Sequence, residues 1–355
     1  MPLNAVIQGP LHSPPTPRAK RPESLTPDCV PSVLTTARAI AEGNGTAVVS
    51  TWKGEDAAKL AHLAAEPALA GIVETPDPGR PPDTSGPVFD NRLRQALSTL
   101  QGILELERRG VTGVVAKIRT DQTAPVELID RFTSDYLAGA SAEARERLVF
   151  IHGAHVDGLY EIDDFVFVGT LTAMRRFFEA QVQLAPFHSG TVSIHGDLVR
   201  KHMYATVAPA IGLEDWRCFP VPLNNLGGGT ARPRIHADAI GPWVRVLTDF
   251  LVPLPQAVWT GMTWRGSPPF TPDWMPVAHR ICFEDREAIL KDGEDFFLRR
   301  WPNIFDTRGS GRLRRPLDYC LEIPREIRGG GTNRLLGSYR RMRRLVNRMR
   351  IRRAK

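Results

Sequence analysis

Lys117, Arg119 and Asp121 stand at alternate positions where a small apolar run, Gly113-Val114-Val115-Ala116, comes to its end. Side chains two apart on a strand share a face, so this strand delivers two cations and one carboxylate together. In open α/β sheets the carboxyl ends of the strands are where ligands bind. The three residues therefore point to an anionic ligand that also needs a metal ion or an acid/base group. Asp121 is the candidate for the chemistry, because one carboxylate holds Mg²⁺ or Mn²⁺ when substrate phosphates and waters complete the shell. The alternative for Asp121 is a salt bridge to Lys117 or Arg119 on its own face. Those two cations either neutralise a diphosphate or satisfy acidic neighbours.

Three earlier apolar runs also end in small or polar residues: Gln8-Gly9-Pro10, Ser50-Thr51-Trp52 and Asp77-Pro78-Gly79. Each alone is ordinary turn chemistry. Together, on one edge of a sheet, they outline a cleft that the Lys117-to-Asp121 segment would floor. A long helix from Asn91 to Arg109 adds a second line of argument. Leu93, Leu97, Leu100 and Leu104 form an apolar stripe on it. Asn91, Arg94, Gln95, Ser98 and Gly102 lie nearly opposite, as a solvated face or as part of the site. Its first turn would favour phosphate, and Arg94 forks onto a phosphate or carboxylate better than a lysine. A further acidic cluster, Asp157, Glu161, Asp163 and Asp164, precedes the strand Phe165–Val168. It is either a solvated loop or the source of a general base, for which Asp164 is the candidate.

The elements that must position these residues follow from periodicity. Ala5–Ile7, Thr46–Ser50 and Ala70–Val73 read as strands, with helices over Val33–Ala41 and Glu55–Ala65. His12 to Pro31 and Pro81 to Gly86 read as loops. Four strands alternating with helices predict an α/β fold, a Rossmann-like and mostly parallel sheet with right-handed crossovers. Arg147–His152 and Phe165–Val168 read as further strands and Leu171–Gln181 as a helix. Beyond Pro186 the chain is rich in Pro, Gly and Trp without clean periodicity. The expected organisation is a nucleotide-binding domain over residues 1–185, a less regular acceptor-side elaboration over 186–328, and a tail over 329–355.

The 355 residues carry 42% apolar and 24% charged side chains, ordinary values for a globular chain. The formal charge is +7, but ten Lys/Arg and no Asp/Glu fall between Arg334 and Lys355; subtracting ten from +7 leaves the rest at −3. Leu335, Tyr339, Met342, Val346 and Met349 recur there at helical spacing, so the tail predicts a basic amphipathic helix suited to an anionic membrane surface. A disordered or partner-docking tail and nucleic-acid binding are the competing readings; the apolar stripe argues against pure disorder and the lack of an aromatic platform against nucleic acid. Cys29, Cys218, Cys282 and Cys320 form no C-x-x-C pair, which argues against a zinc ribbon and a dense disulfide scaffold. No secretory signal or membrane-length apolar run is seen, so the expected location is cytoplasmic and peripheral at the inner membrane face. No G-x-G-x-x-G follows the first strand, and Gly227-Gly228-Gly229 lacks the flanks of a P-loop.

The ordered set of these motifs resembles the WavE lipopolysaccharide-synthesis family over roughly residues 1–180. It comprises Gln8-Gly9-Pro10, Ser50-Thr51-Trp52-Lys53-Gly54-Glu55, Asp77-Pro78-Gly79, and Asn91, Arg94-Gln95, Ser98 and Gly102. Lys117, Arg119 and Asp121 follow, then Asp164-Phe165 through Phe167 and Gly169. The family is regarded as glycosyltransferases of bacterial surface polysaccharide, similar in outline to GT-A transferases. The resemblance implies a GT-A-like fold, a nucleoside-diphosphate sugar as donor, and a saccharide or lipid-linked acceptor. It implies base and ribose against Gln8, Gly9 and Ser50 to Trp52, with Asp77, Gly79, Asn91, Arg94 and Gln95 also lining the site. It also implies Lys117, Arg119 and Arg94 near the diphosphate, and Asp121 on a divalent cation or orienting the donor. In GT-A transferases a D-x-D pair after the fourth strand commonly holds the metal. Here Arg119 stands in the place of the first carboxylate, so metal dependence stays open. A non-catalytic nucleotide- or polysaccharide-binding protein on the same scaffold is the rival reading.

Overall fold

The computed structural model describes residues 2–12, 28–78, 92–155, 162–183, 235–236, 240–265, 280–300 and 305–306. Strand β1 (Leu3–Gln8) is buried along its whole length. Helix α1 (Val30–Glu42) follows, with a proline in its first turn and Val33, Ala37 and Ile40 buried on one stripe. Strand β2 (Ala47–Trp52) leads to helix α2 (Ala57–Ala64), whose N-terminus Asp56 caps by accepting from the backbone N–H groups of Ala58 and Lys59. Strand β3 (Leu69–Thr75), helix α3 (Arg92–Arg108) and strand β4 (Val114–Arg119) complete the repeating half. The alternation predicted from the sequence is the one observed.

After β4 come a two-residue strand, β5 (Gln122–Thr123), helix α4 (Val126–Gly139) and a short helix α5 (Ala142–Arg145). Strands β6 (Val149–Ile151), β7 (Ala154–His155) and β8 (Val166–Thr170) precede helix α6 (Leu171–Gln183). Further on lie β9 (Ile235–His236), a helix over Ile240–Asp249, β10 (Leu251–Pro253), a helix over Gln256–Thr260, β11 (Thr263–Trp264) and β12 (Arg280–Ile281). Helices over Arg286–Asp292 and Glu294–Arg300 and the strand β13 (Phe305–Asp306) end the described chain.

Seven strands form one sheet in the order β10-β6-β8-β4-β1-β2-β3. The pairs β1–β2, β1–β4, β2–β3 and β6–β10 are parallel, whereas β8 runs antiparallel to both its neighbours. The fold is thus α/β, Rossmann-like and mostly parallel, with one reversed strand. Reversal of β8 has a direct consequence. Its first residues lie at the carboxyl edge of the parallel strands, with Val166 opposite Ile118 and Phe167 opposite Lys117. Asp163 and Asp164, which lead into β8, are therefore delivered to the same edge as the end of β4. The seventh strand, Leu251–Pro253, comes from the segment read as an acceptor-side elaboration. Its three residues are buried beside β6.

Helices cover both faces, which is why β1, β2, β4 and β8 are near-continuous apolar runs. Leu3, Ala5, Ile7, Ala116 and Ile118 pack with α1 and α4 residues such as Val33, Ile40, Ile129 and Leu137. The alternate residues of β1 meet α3. A Cβ at Gly102 would lie 2.3 Å from Val6 Cγ1 and 3.2 Å from Ser50 Cβ, so only glycine lets this helix sit so close to the sheet. Ser50 Oγ donates to the Ser98 carbonyl at 2.6 Å, and Ser98 Oγ donates to the Ser50 carbonyl at 3.1 Å. Ser98 and Gly102 are therefore the seam between α3 and β2, neither a solvated face nor a ligand face. Of the helix's leucine stripe, Leu100 is buried, while Leu93, Leu97 and Leu104 are half-buried. Small polar residues here replace the apolar ones expected at a helix–sheet contact, because the close approach leaves room for nothing larger.

Candidate functional site

In register, Lys117 lies beside Val6 and Arg119 beside Gln8, while Gln8 also lies beside Ser50. Lys117 and Arg119 thus share the face that α3 and α6 cover. Lys117 is buried, with its ammonium 5.6 Å from the centre of the Phe167 ring and donating to the backbone carbonyl of Asp164. Arg119 reaches further toward the edge. Its Nε and Nη2 donate to the two oxygens of Asp121 at 3.0 and 3.1 Å, and its Nη1 donates to Asp164 Oδ2 at 3.1 Å. Gln95, from the first turns of α3, donates to the same Asp164 oxygen at 2.6 Å. Four residues chosen from the sequence, Lys117, Arg119, Asp121 and Asp164, thus meet at one point, with Gln95 joining from the helix.

Two residues that sequence reasoning missed complete the cluster. Strand β11 pairs antiparallel with β5, and the ladder continues as Arg265 N–H donates to the Asp121 carbonyl at 2.8 Å. This brings Trp264 Nε1 to 2.8 Å and Arg265 Nε to 3.4 Å from Asp121 Oδ2. The Arg265 guanidinium stacks over the Trp264 ring at 4.8 Å, and Trp264 lies 5.9 Å from Phe165, over which Arg119 also sits. Nothing local marks Trp264-Arg265 in the sequence. Only their pairing with residues more than 140 positions earlier makes them part of the site.

Electrostatics follow from burial and pairing. Burial pushes the Lys117 ammonium down to about 7, against the pull of the Asp164 carboxylate. For Asp121, burial works toward a raised value. The charge and hydrogen bonds of Arg119, the Trp264 indole and the charge of Arg265 outweigh it and hold the carboxyl below its ordinary value. Arg119 is raised: burial opposes its charge, and Asp121 and Asp164 more than compensate.

The donor set around Asp121 decides how a metal would fit. Oδ1 accepts from Arg119, and Oδ2 accepts from Arg119, Trp264 and Arg265. A divalent cation at this carboxylate would have to displace those donors and sit against two guanidinium charges. Among the described residues no group of three or more His, Cys, Asp or Glu is arranged to hold a metal. The residues present do not fit Mg²⁺ or Mn²⁺ at Asp121. The salt-bridge alternative is the arrangement seen.

The remaining candidates are held by their own structural partners. Gln8 is buried, and its carbonyl accepts from Thr120 N–H. Gly9 has a φ of 140°, and a Cβ there would lie 2.6 Å from Thr120 Oγ1; the turn after β1 thus requires glycine whatever it binds. Ser50 belongs to the α3 seam. Thr51 donates to Glu55, whose other oxygen accepts from Leu11 N–H. Trp52 is half-buried where β2 ends. Asp77 takes a two-pronged bond from Arg94 at 2.7 and 2.6 Å, tying the end of β3 to α3. Gly79 and Asn91 lie outside the described residues, as do Asp157, Glu161, most of the first loop, the Pro81–Gly86 loop and the tail from 329 to 355.

No family model matches the sequence, so the WavE resemblance rests on the residues quoted for it. No curated protein matches either. Among solved structures, a cytidylyltransferase from Leptospira borgpetersenii serovar Hardjo-bovis is 10% identical, with a TM-score of 0.31 over 60% of this chain and 72% of that one. A mannose-1-phosphate geranyltransferase from Thermus thermophilus is 12% identical, with a TM-score of 0.32 over 56% and 67%. A nucleoside-diphosphate-sugar pyrophosphorylase from Vibrio cholerae is 11% identical, with a TM-score of 0.30 over 56% and 88%. Likeness at this level carries no argument about what this chain does.

Proposed function

We propose that this protein is a transferase that takes a sugar from a nucleoside-diphosphate sugar and passes it to a saccharide or lipid-linked acceptor in bacterial surface polysaccharide synthesis. One observation carries the reading: Lys117, Arg119, Asp121 and Asp164, drawn from two separate stretches of chain, converge at the carboxyl edge of a mostly parallel sheet. That is the edge at which α/β sheets take their ligands. Departure of a diphosphate from the sugar carbon builds negative charge on the leaving group. Fixed cations there stabilise it without reorganising. Arg119 is the cation so placed, oriented by Asp164 and, in the ligand-free protein, paired with Asp121. Lys117 lies behind it and adds charge when protonated. Gln8, Gly9 and the half-buried Trp52 edge the side where base and ribose would lie, with Arg94 and Asp77 at its rim. Asp164 remains the candidate base. On this reading residues 1–185 carry most of the donor side, and Trp264 and Arg265 reach into it from the segment 186–328. The rest of that segment serves the acceptor, and 329–355 anchor the chain to the anionic inner face of the membrane. No helix among the described residues is long and apolar enough to cross a membrane.

The test is hydrolysis and binding of a panel of nucleoside-diphosphate sugars by the full chain, with and without EDTA. Turnover that survives EDTA and falls at least ~100-fold in Arg119→Ala is the expected result, as for loss of a charge-stabilising donor. Absence of binding to every donor would overturn the reading. The engagement of both Asp121 oxygens favours a second reading, a protein that binds the nucleotide without catalysis; donor binding with no turnover for any acceptor would select it. Flotation with anionic liposomes, with and without residues 332–355, tests the anchor, and equal flotation removes it.

A further inference from the structure

We propose that Arg265 is a second phosphate-binding cation, and that Asp121 is a resident counter-ion which Arg119 and Arg265 exchange for the diphosphate of the incoming nucleotide. The inference rests on the proposed donor site and extends it to a residue from the far part of the chain.

Exposure orders the groups. The Asp121 side chain is 4% exposed, whereas those of Arg119 and Arg265 are 23% and 19% exposed. The two arginine side chains are therefore more open to an arriving anion than the carboxylate they share. Both arginines converge on one oxygen, Oδ2, which also accepts from the Trp264 indole. The Arg265 contact is the longest of the set at 3.4 Å and lies at the limit of a hydrogen bond. A carboxylate that draws two guanidinium groups together sets a spacing suited to a pair of phosphoryl oxygens. When those oxygens bind, Asp121 keeps the indole N–H and the backbone pairing of its carbonyl with Arg265 N–H.

The local backbone supports a built arrangement. Arg265 has a φ of 53°, a left-handed conformation that a non-glycine residue adopts at a cost. This residue directly follows β11, donates its N–H to the Asp121 carbonyl, and has its guanidinium over the Trp264 ring. The guanidinium lies 4.8 Å from the centre of the indole ring, a cation–π contact that holds it over Trp264, and a guanidinium can fork onto phosphate oxygens. Trp264 is itself fixed by Phe165 and by Asp121. A diphosphate in this place would be neutralised by two arginines, consistent with a carboxylate that does not suit a divalent cation.

Calorimetry on the full chain tests the exchange, with inorganic pyrophosphate, UDP, CDP and GDP as probes. Arg265→Ala is expected to weaken whichever probe binds by tenfold or more, and Arg265→Lys to recover part of that loss. Asp121→Asn, which keeps the shape and removes the competing anion, is expected to tighten binding several-fold. Tightening is the reverse of what a merely structural role would produce. Binding by Arg265→Ala within twofold of the parent would overturn the proposal, and so would weakening in Asp121→Asn. If the parent hydrolyses a donor and Arg265→Ala does so equally, this inference fails while the donor-site reading stands. If no probe or donor binds the parent, both fail.

Discussion

Asp163 and Asp164 are neighbours in the chain and serve opposite kinds of ion pair. Asp163 turns inward, where its Oδ2 lies 3.1 Å from His152 Nδ1 and pairs with Arg280. His152, Asp163 and Arg280 are 0, 1 and 2% exposed, walled by Phe165 and Trp259. Asp164 turns the other way and joins Arg119, whose side chain is 23% exposed. The difference teaches what each network can do. Charges that are wholly desolvated and already paired have no route to a ligand, so the inner network is a clamp. It binds β12 to β7 and holds the lead-in to β8, from which Asp164 takes its place. Charges that keep one side in solvent can trade partners, so the outer network is where an anion can bind.

The largest expected effect would break the inner network. Arg280→Ala takes from the buried Asp163 its arginine partner, and loss of one partner of such a pair costs about 3–5 kcal/mol. Urea denaturation should show that loss. A cost below about 1 kcal/mol would mean the two networks are energetically alike and the contrast is false.

A middle effect concerns Lys117, which lies beneath the outer network. Its ammonium is pushed down to about 7 by burial. The charged form therefore dominates below pH 7 and is lost as the pH rises through it. An anionic ligand favours that form, so donor affinity should be highest near pH 6 and fall roughly tenfold by pH 8. A nucleoside-diphosphate sugar has no titration of its own in that range, which makes it the right probe. The fall should vanish in Lys117→Met. A flat profile in the parent would show that Lys117 does not sense the site.

The smallest effect belongs to a more exposed pair at the rim. Arg94 and Asp77 are 23 and 44% exposed. Despite two short hydrogen bonds, Asp77→Ala should cost only roughly 0–1 kcal/mol, because solvent screens such pairs. A loss as large as that of Arg280→Ala would show that exposure is not the variable that separates these networks.

Much of the fold was legible in the sequence because its signals are local. The buried runs at β1, β2 and β4 and the stripe on α1 needed only periodicities of two and 3.6. The cluster at Lys117, Arg119 and Asp121 was legible for the same reason, since alternate residues of a strand share a face. Ser98 and Gly102 were misplaced because small polar residues on a helix look the same whether they face water or a close-packed sheet. The contact with Val6 and Ser50 that distinguishes the two cases is long-range.

What the sequence determined by itself was therefore a mostly parallel α/β sheet with a cationic strand end and a carboxylate beside it. What only the tertiary structure decided was the partner of each charge. Reversal of β8 brought Asp164 to Arg119, and the pairing of β11 with β5 brought Trp264 and Arg265 to Asp121. Strand direction and the pairing of distant segments depend on the whole packed sheet rather than on any window of residues. For that reason the role of Asp121, held by arginines rather than poised for a metal, could be read only from the folded chain.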